Sequence, residues 1–139
     1  MKVSRIKVNE EGLNRFFGPL EARIMRIIWE SGELSIKEVQ RILNEESPIS
    51  FNAVMTVMNR LAEKGHLAKR ARGRSTYYRA VQTKEQFLAE QTRAVTLGLI
   101  EEFGDLVVNH MIEALEQADP ASIRKLEQKL MELKNRNKP

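Results

Sequence analysis

The spacing of apolar residues changes at Gly65, and this change limits what the chain can fold into more than any other feature of the sequence. Before it, apolar residues recur every three or four positions, the mark of helices with one buried face. After it, residues 67–72 and 75–81 read as two short strands joined by a turn containing Gly73. From Thr83 helical spacing returns and continues to the end. The expected fold class is therefore mainly α with a small β-hairpin: a winged helix-turn-helix followed by a helical dimerisation region. Its expected divisions are an N-terminal extension of unknown role (1–17), the winged helix-turn-helix (18–82) and the helical region (83–139).

The helix ends carry recognisable signals. Pro19 suits a first helical position, where its missing N–H is no loss, with Gly18 before it as cap and Gly32 as the stop. Leu20, Ile24, Ile27 and Ile28 form the apolar face of this first helix, with Trp29 near its end. Ser35 and Glu38 have capping-box spacing directly before Val39, Ile42 and Leu43, which opens a second helix. A third helix starts at Ser50, or at Ser47 if Pro48 is its first residue, and stops at Gly65.

On the third helix, Phe51, Val54, Val57, Met58 and Leu61 fall on one face at about 100° per residue. Asn52, Thr56, Asn59 and Glu63 fall opposite, flanked by Ala53 and Arg60. Small residues, amides, a hydroxyl and a guanidinium are what a helix needs to approach base edges in a major groove. The hairpin that follows holds Lys69, Arg70, Arg72, Arg74 and Arg79, with no acidic residue from Leu67 to Arg79. Such a cluster can neutralise several phosphates and release their counterions. Lys69, Arg70, Arg72 and Arg74 are the expected wing contacts. Strand alternation should send one of Tyr77 and Tyr78 to the core and the other outward.

The charge balance agrees with this placement. Residues 1–82 carry 15 Lys and Arg against 9 Asp and Glu, while residues 83–139 carry 8 against 10. Only the first part is suited to a polyanion. The second part reads as a helix over 84–102, a break at Gly104, a further helix, and a last helix opened by Asp119-Pro120. In that last helix Ile123, Leu126, Leu130 and Leu133 repeat with 3-4-3 spacing, the seam of a short coiled coil. So few residues in three short helices make a poor independent core, which favours association with a second copy. The expected dimer contacts are Leu99, Phe103, Leu106, Met111, Leu115, Ile123, Leu126, Leu130 and Leu133.

Several function classes lack support. With no cysteine and only His66 and His110, disulfides, thiolate metal sites and histidine-rich metal sites are not expected, and no cofactor is. His66 reads as a residue of the wing base and His110 as a helix-face or interface residue. The adjacent Glu101 and Glu102 point to different faces of a helix, so no paired-carboxylate site forms and no enzyme activity is expected. The first seventeen residues lack the apolar core of a signal peptide, and no apolar run could span a bilayer. The reading is of a protein of the bacterial cytoplasm, at the nucleoid, without membrane insertion.

The stretches GPLEARIMRIIWESGELSIKEVQ and AVMTVMNRLAEKGHLAKRARGRSTYYRAV resemble the penicillinase-repressor family, the BlaI, MecI and CopY-like winged-helix transcriptional repressors. Leu20-Glu21, Trp29, Thr56-Val57, Arg60-Leu61, Lys64-Gly65 and Tyr77-Tyr78 occur in the family's order and spacing, from about Gly18 to Val81. Beyond Thr83 the likeness is one of helical pattern, length and the segment LVVNH. The resemblance implies a homodimer on a palindromic double-stranded DNA operator, with Ser50, Asn52, Ala53, Thr56 and Arg60 facing the groove. Asn52 and Ala53 depart from the Lys-Thr pair of the methicillin-type repressor.

The resemblance also implies two routes of derepression. The copper type uses C-terminal cysteines, absent here. The antibiotic type is cut at an Asn-Phe bond by a membrane sensor protease, and the corresponding bond here is Asn109-His110. The partner that relieves repression is then a sensor protease or an unidentified inducer. Two rival readings stay open from the sequence: an activator or architectural DNA binder using the same domain, and a winged-helix protein-interaction adaptor that binds no DNA.

Overall fold

The computed structural model describes residues 6, 7 and 10–137. Helix α1 (Pro19–Ser31) begins at the proline, and the Gly18 N–H donates to the Glu21 carboxylate at 3.0 Å. After Gly32 a two-residue strand, β1 (Leu34–Ser35), leads into helix α2 (Ile36–Asn44). Ser35 and Glu38 make the expected reciprocal cap: the Glu38 N–H donates to the serine hydroxyl, and the Ser35 N–H to the Glu38 carboxylate. The turn into the next helix is pinned at both faces of Ile49. Its N–H donates to Asn44 Oδ1 at 2.8 Å, and the Gln40 amide donates to its carbonyl at 3.0 Å.

Helix α3 (Phe51–Glu63) starts after Ser50, whose hydroxyl accepts from the Ala53 N–H. That decides the start left open by the sequence in favour of Ser50. Gly65, at φ 86°, takes a left-handed conformation that reverses the chain into β2 (Leu67–Arg72). β2 and β3 (Ser75–Ala80) pair antiparallel from Leu67↔Ala80 to Arg72↔Ser75. Their connection is therefore the two residues Gly73 and Arg74. Gly73 has φ 63°, and no non-glycine residue described has positive φ. This is a type II′ turn, whose twist matches that of the strands it joins.

The sheet has a third member that alternation could not reveal. β1 pairs antiparallel with β3 (Leu34↔Tyr78, Ser35↔Tyr77), giving the order β1-β3-β2. The core joins every element of this part: Ile24, Met25 and Ile28 of α1, Val39 and Leu43 of α2, Val54, Met58 and Leu61 of α3, and Leu67 and Tyr78 of the sheet. Phe51 departs from its expected place on the buried face of α3. At the first helical position it is 38% exposed.

Residues 1–17 were expected to be an extension outside the winged helix-turn-helix. The described part instead belongs to the core, because the 3-10 turn Gly12–Arg15 buries Leu13, and Phe17 is buried after it. Residues 1–5, 8 and 9 of that stretch lie outside the described residues. At the other end, Phe87 and Gln91 are buried, and the first compact unit runs to Thr92 rather than stopping near 82. Phe17 stacks on Phe87 at 5.0 Å between ring centroids, and Phe16, Trp29 and His66 close around the same ring. The Trp29 Nε1–H donates to the Gln82 carbonyl at 2.9 Å, fixing the chain where β3 gives way to helix α4 (Lys84–Phe103).

The second unit starts at Arg93, within α4, and continues through α5 (Asp105–Leu115) and α6 (Pro120–Arg136). Asp119 caps α6, its carboxylate accepting from the Ser122 N–H at 2.7 Å, and this bond holds its pKa below the ordinary aspartate value. No residue of α5 or α6 is buried. Among the described residues, no helix is long and apolar enough to cross a membrane.

Candidate nucleic-acid interface

The outward face of α3 is the first component. Asn52, Thr56 and Arg60 are exposed at successive turns of one helix face, with Ala53 half-buried beside them. Their polar groups are not equally available. The Thr56 hydroxyl donates to the Asn52 carbonyl at 2.8 Å, which leaves its methyl and its lone pairs outward. The Ser50 hydroxyl, as N-cap, already accepts one bond and keeps its proton to donate.

Asn59 was expected on the same face, but its Oδ1 accepts a 2.7 Å bond from the Tyr78 hydroxyl, and the residue is half-buried. Tyr78 is the inward member of the tyrosine pair, 2% exposed, whereas Tyr77 is half-buried. Burial pushes the Tyr78 phenol up from its ordinary pKa, so the hydroxyl stays a donor at any physiological pH. The bond thus joins α3 to the sheet from which the hairpin extends.

The wing is the second component, and its register sorts the basic residues. Strand alternation and the pairing Lys69↔Tyr78 put Lys69 on the face of the buried tyrosine, with its ammonium 5.8 Å from that ring's centroid. Arg70, Arg72 and Arg79 share the opposite face with Tyr77, and Arg72 lies over the Tyr77 ring at 5.6 Å. Arg74 occupies the turn and is exposed. The sequence run suggested equivalent phosphate contacts, but Arg70 differs from the others. Its Nε and one terminal nitrogen both donate to Glu33 Oε1, at 3.1 and 2.7 Å. Glu33 precedes β1 and lies 37 positions away, beyond the reach of any spacing rule.

Helix and wing are held in fixed relation at His66. Its N–H donates to the Leu61 carbonyl at 2.9 Å and its carbonyl accepts from the Val81 N–H at 3.1 Å, so one residue ties the end of α3 to the end of β3. The ring is 3% exposed and meets Phe17 edge-on at 5.0 Å. Nδ1 has no hydrogen-bond partner among the described residues. Burial pushes the imidazole below its ordinary pKa, and the nearby Lys64 adds to the effect against the opposing pull of Glu21. Glu21 in turn pairs with Lys64 at 3.2 Å, joining the start of α1 to the end of α3. Burial raises the Glu21 pKa, but the Gly18 N–H and Lys64 outweigh it and leave the carboxyl below its ordinary value.

In the second unit, Leu99, Phe103, Leu106 and Met111 are exposed and line one apolar groove of about 430 Å³ with Val107, His110 and Ala114. Leu130 and Leu133 are exposed on α6, whereas Leu115, Ile123 and Leu126 are half-buried. Asn109 and His110 lie exposed within α5, and His110 Nδ1 is 3.7 Å from the Glu113 carboxylate one turn on.

A family model described as penicillinase repressor matches residues 17–132. No curated protein matches the sequence. Among solved structures, one described as a possible transcriptional regulator for arsenical resistance is 26% identical, with a TM-score of 0.45 over 66% of this chain and 88% of that one. A MarR/EmrR family transcriptional regulator from Acinetobacter sp. ADP1 is 19% identical, with a TM-score of 0.43 over 89% and 79%. A MarR family protein from Bacillus stearothermophilus is 17% identical, with a TM-score of 0.46 over 85% and 78%.

Proposed function

The chain belongs to the penicillinase repressor family of DNA-binding transcriptional regulators, and from that premise we propose that it represses transcription as a homodimer on a palindromic operator. The carrying observation is the exposed row Asn52, Thr56 and Arg60 on α3, beside a hairpin whose Arg72 and Arg74 have no acidic partner among the described residues. A helix with that face enters a major groove, and the hairpin grips the adjacent backbone. The second unit supplies the pairing. Its helices α5 and α6 hold no fully buried residue, and the groove of Leu99, Phe103, Leu106 and Met111 is an apolar face that a second copy covers. Two readers on one dimer bind two half-sites as one event, which raises affinity without any new contact.

The test combines sedimentation with footprinting on duplexes selected from genomic fragments. A dimer protecting two inverted half-sites that overlap a promoter is the expected result. A monomer, or protection lying wholly upstream of the promoter, defeats the repressor reading; the latter favours an activator.

We further place relief of repression in the second unit. The Asn109-His110 bond lies in α5, a helix with no residue fully buried within its own chain, so local opening to admit a protease costs little whenever the pairing surface is uncovered. Cutting there leaves the reader whole and removes α6. Protein recovered from induced cells is then expected as fragments ending at Asn109. Full-length protein throughout induction points instead to a ligand or partner.

A further inference from the structure

The sequence places Ser50, Asn52, Thr56, Asn59 and Arg60 on or beside the outward face of α3, and the hydrogen bonds of the structure make their polar groups unequal. We propose that Asn52 reads an adenine in the major groove, that Thr56 beside it contacts a thymine methyl, and that Asn59 reads no base. The proposal rests on the DNA-binding reading above and assigns chemistry to that same site.

The argument is an inventory of donors and acceptors. Adenine shows an acceptor, N7, and a donor, the N6 amino group, and an asparagine amide answers both only if its oxygen and its nitrogen are available together. Asn59 fails this condition, because its Oδ1 is taken by the Tyr78 hydroxyl at 2.7 Å and the residue is drawn half-buried toward the sheet. Asn52 meets it. The residue is exposed in the first turn of α3, and its amide has no partner among the described residues. Its own carbonyl accepts the Thr56 hydroxyl at 2.8 Å. That bond uses the hydroxyl's only proton, so Thr56 cannot donate to guanine or thymine oxygens and offers a methyl and lone pairs. A methyl next to the adenine-reading position suits the C5-methyl of thymine, which no other base carries.

The experiment uses the full chain and a selection from randomised duplex, followed by atomic changes in the selected DNA. Replacing the contacted adenine with 7-deazaadenine removes N7, and replacing the contacted thymine with uracil removes only the methyl. Wild-type binding is expected to fall about five- to hundred-fold for the first change and less for the second. Asn52→Ala should lose preference at one position and become indifferent to 7-deazaadenine there. Thr56→Ser, which keeps the hydroxyl, should become indifferent to uracil. Asn59→Ala strands the buried Tyr78 hydroxyl, so it should lower the melting temperature while keeping the wild-type preference at every position. Because the altered bases act on unmutated protein, the answer does not depend on a variant folding. If Asn52→Ala keeps the full wild-type preference, or Asn59→Ala relaxes one position, the base assignment is overturned and DNA binding stands. If the wild-type chain enriches no sequence, the DNA-binding reading falls and takes this assignment with it.

Discussion

The two compact units of this chain answer the same problem, how to bury an apolar face, in opposite ways. In the first, every helix and strand gives residues to one core, and side chains as far apart in sequence as Phe17 and Phe87 stack within it. In the second, α5 and α6 hold no fully buried residue, and Phe103, Leu106 and Ile112 are all more than half exposed. Hydrophobicity does not separate them, since both are rich in Leu, Ile, Val and Met. The difference is closure. The first unit folds back on itself through a sheet and a three-helix arrangement, whereas the second presents its apolar residues as a surface. On the proposed dimer reading, the first part is closed within one chain and the second is completed by a second copy.

The most damaging way to break this contrast is to charge the open surface. Leu130→Lys with Leu133→Lys places two ammonium groups in the α6 seam, where a partner would have to bury them unpaired. The expected outcome in sedimentation is a monomer whose first unit still melts normally, with operator affinity lower by about 10²–10⁴. A dimer of normal affinity would mean that α6 is not part of the pairing surface.

A matched pair of truncations sharpens the contrast next. Phe87→Ala opens a cavity in the aromatic cluster and should cost the first unit about 3–5 kcal/mol in denaturant unfolding. Phe103→Ala removes a side chain that is 51% exposed and should cost the unpaired chain under about 0.5 kcal/mol, while weakening dimerisation by more than about 1 kcal/mol. Equal losses in the monomer would erase the distinction between the units.

Acid should separate them more gently. The His66 pKa is lower in the folded state than its ordinary value of about 6.5, so between the two values the unfolded chain binds the proton that the folded chain refuses. The stability linked to His66 is therefore complete above about pH 6.5 and is lost as pH falls toward the folded-state value. Melting followed by signals of the first unit should show this loss, and His66→Phe should flatten it. A slope unchanged in that variant would assign the acid sensitivity elsewhere.

The smallest effect lies in the wing. Arg72→Ala should reduce the salt dependence of DNA binding by about one phosphate equivalent. Arg70→Ala should reduce it less, because Glu33 already occupies that guanidinium, and Glu33→Gln should steepen it. Equal slopes for the two arginine variants would mean that Glu33 releases Arg70 on DNA.

What the sequence made legible follows from the range of each interaction. Helix starts at Pro19, Ser35 and Asp119 rest on contacts three residues long, and all are in place. The hairpin follows from alternation and a single glycine. β1 was not visible, because two residues cannot display a period, and it exists only by pairing with Tyr77 and Tyr78. Leu13 and Phe17 looked peripheral because their partners lie far along the chain. On the recognition face, a helical wheel could sort inward from outward residues but could not foresee Tyr78 claiming Asn59, or Glu33 claiming Arg70. Those pairings depend on strand register and on where a loop passes, neither of which local spacing encodes.

The double attachment of His66 leaves the angle between α3 and the wing little freedom. A reader that does not flex behaves as a caliper. The separation between a major-groove edge and the neighbouring backbone is then demanded by the protein and must be met by the duplex. DNA whose groove width or stiffness departs from that separation has to be bent or compressed to fit, at an energy set by its own base steps. Base pairs lying under the wing, touched by no side chain, would thereby influence operator choice through their mechanics.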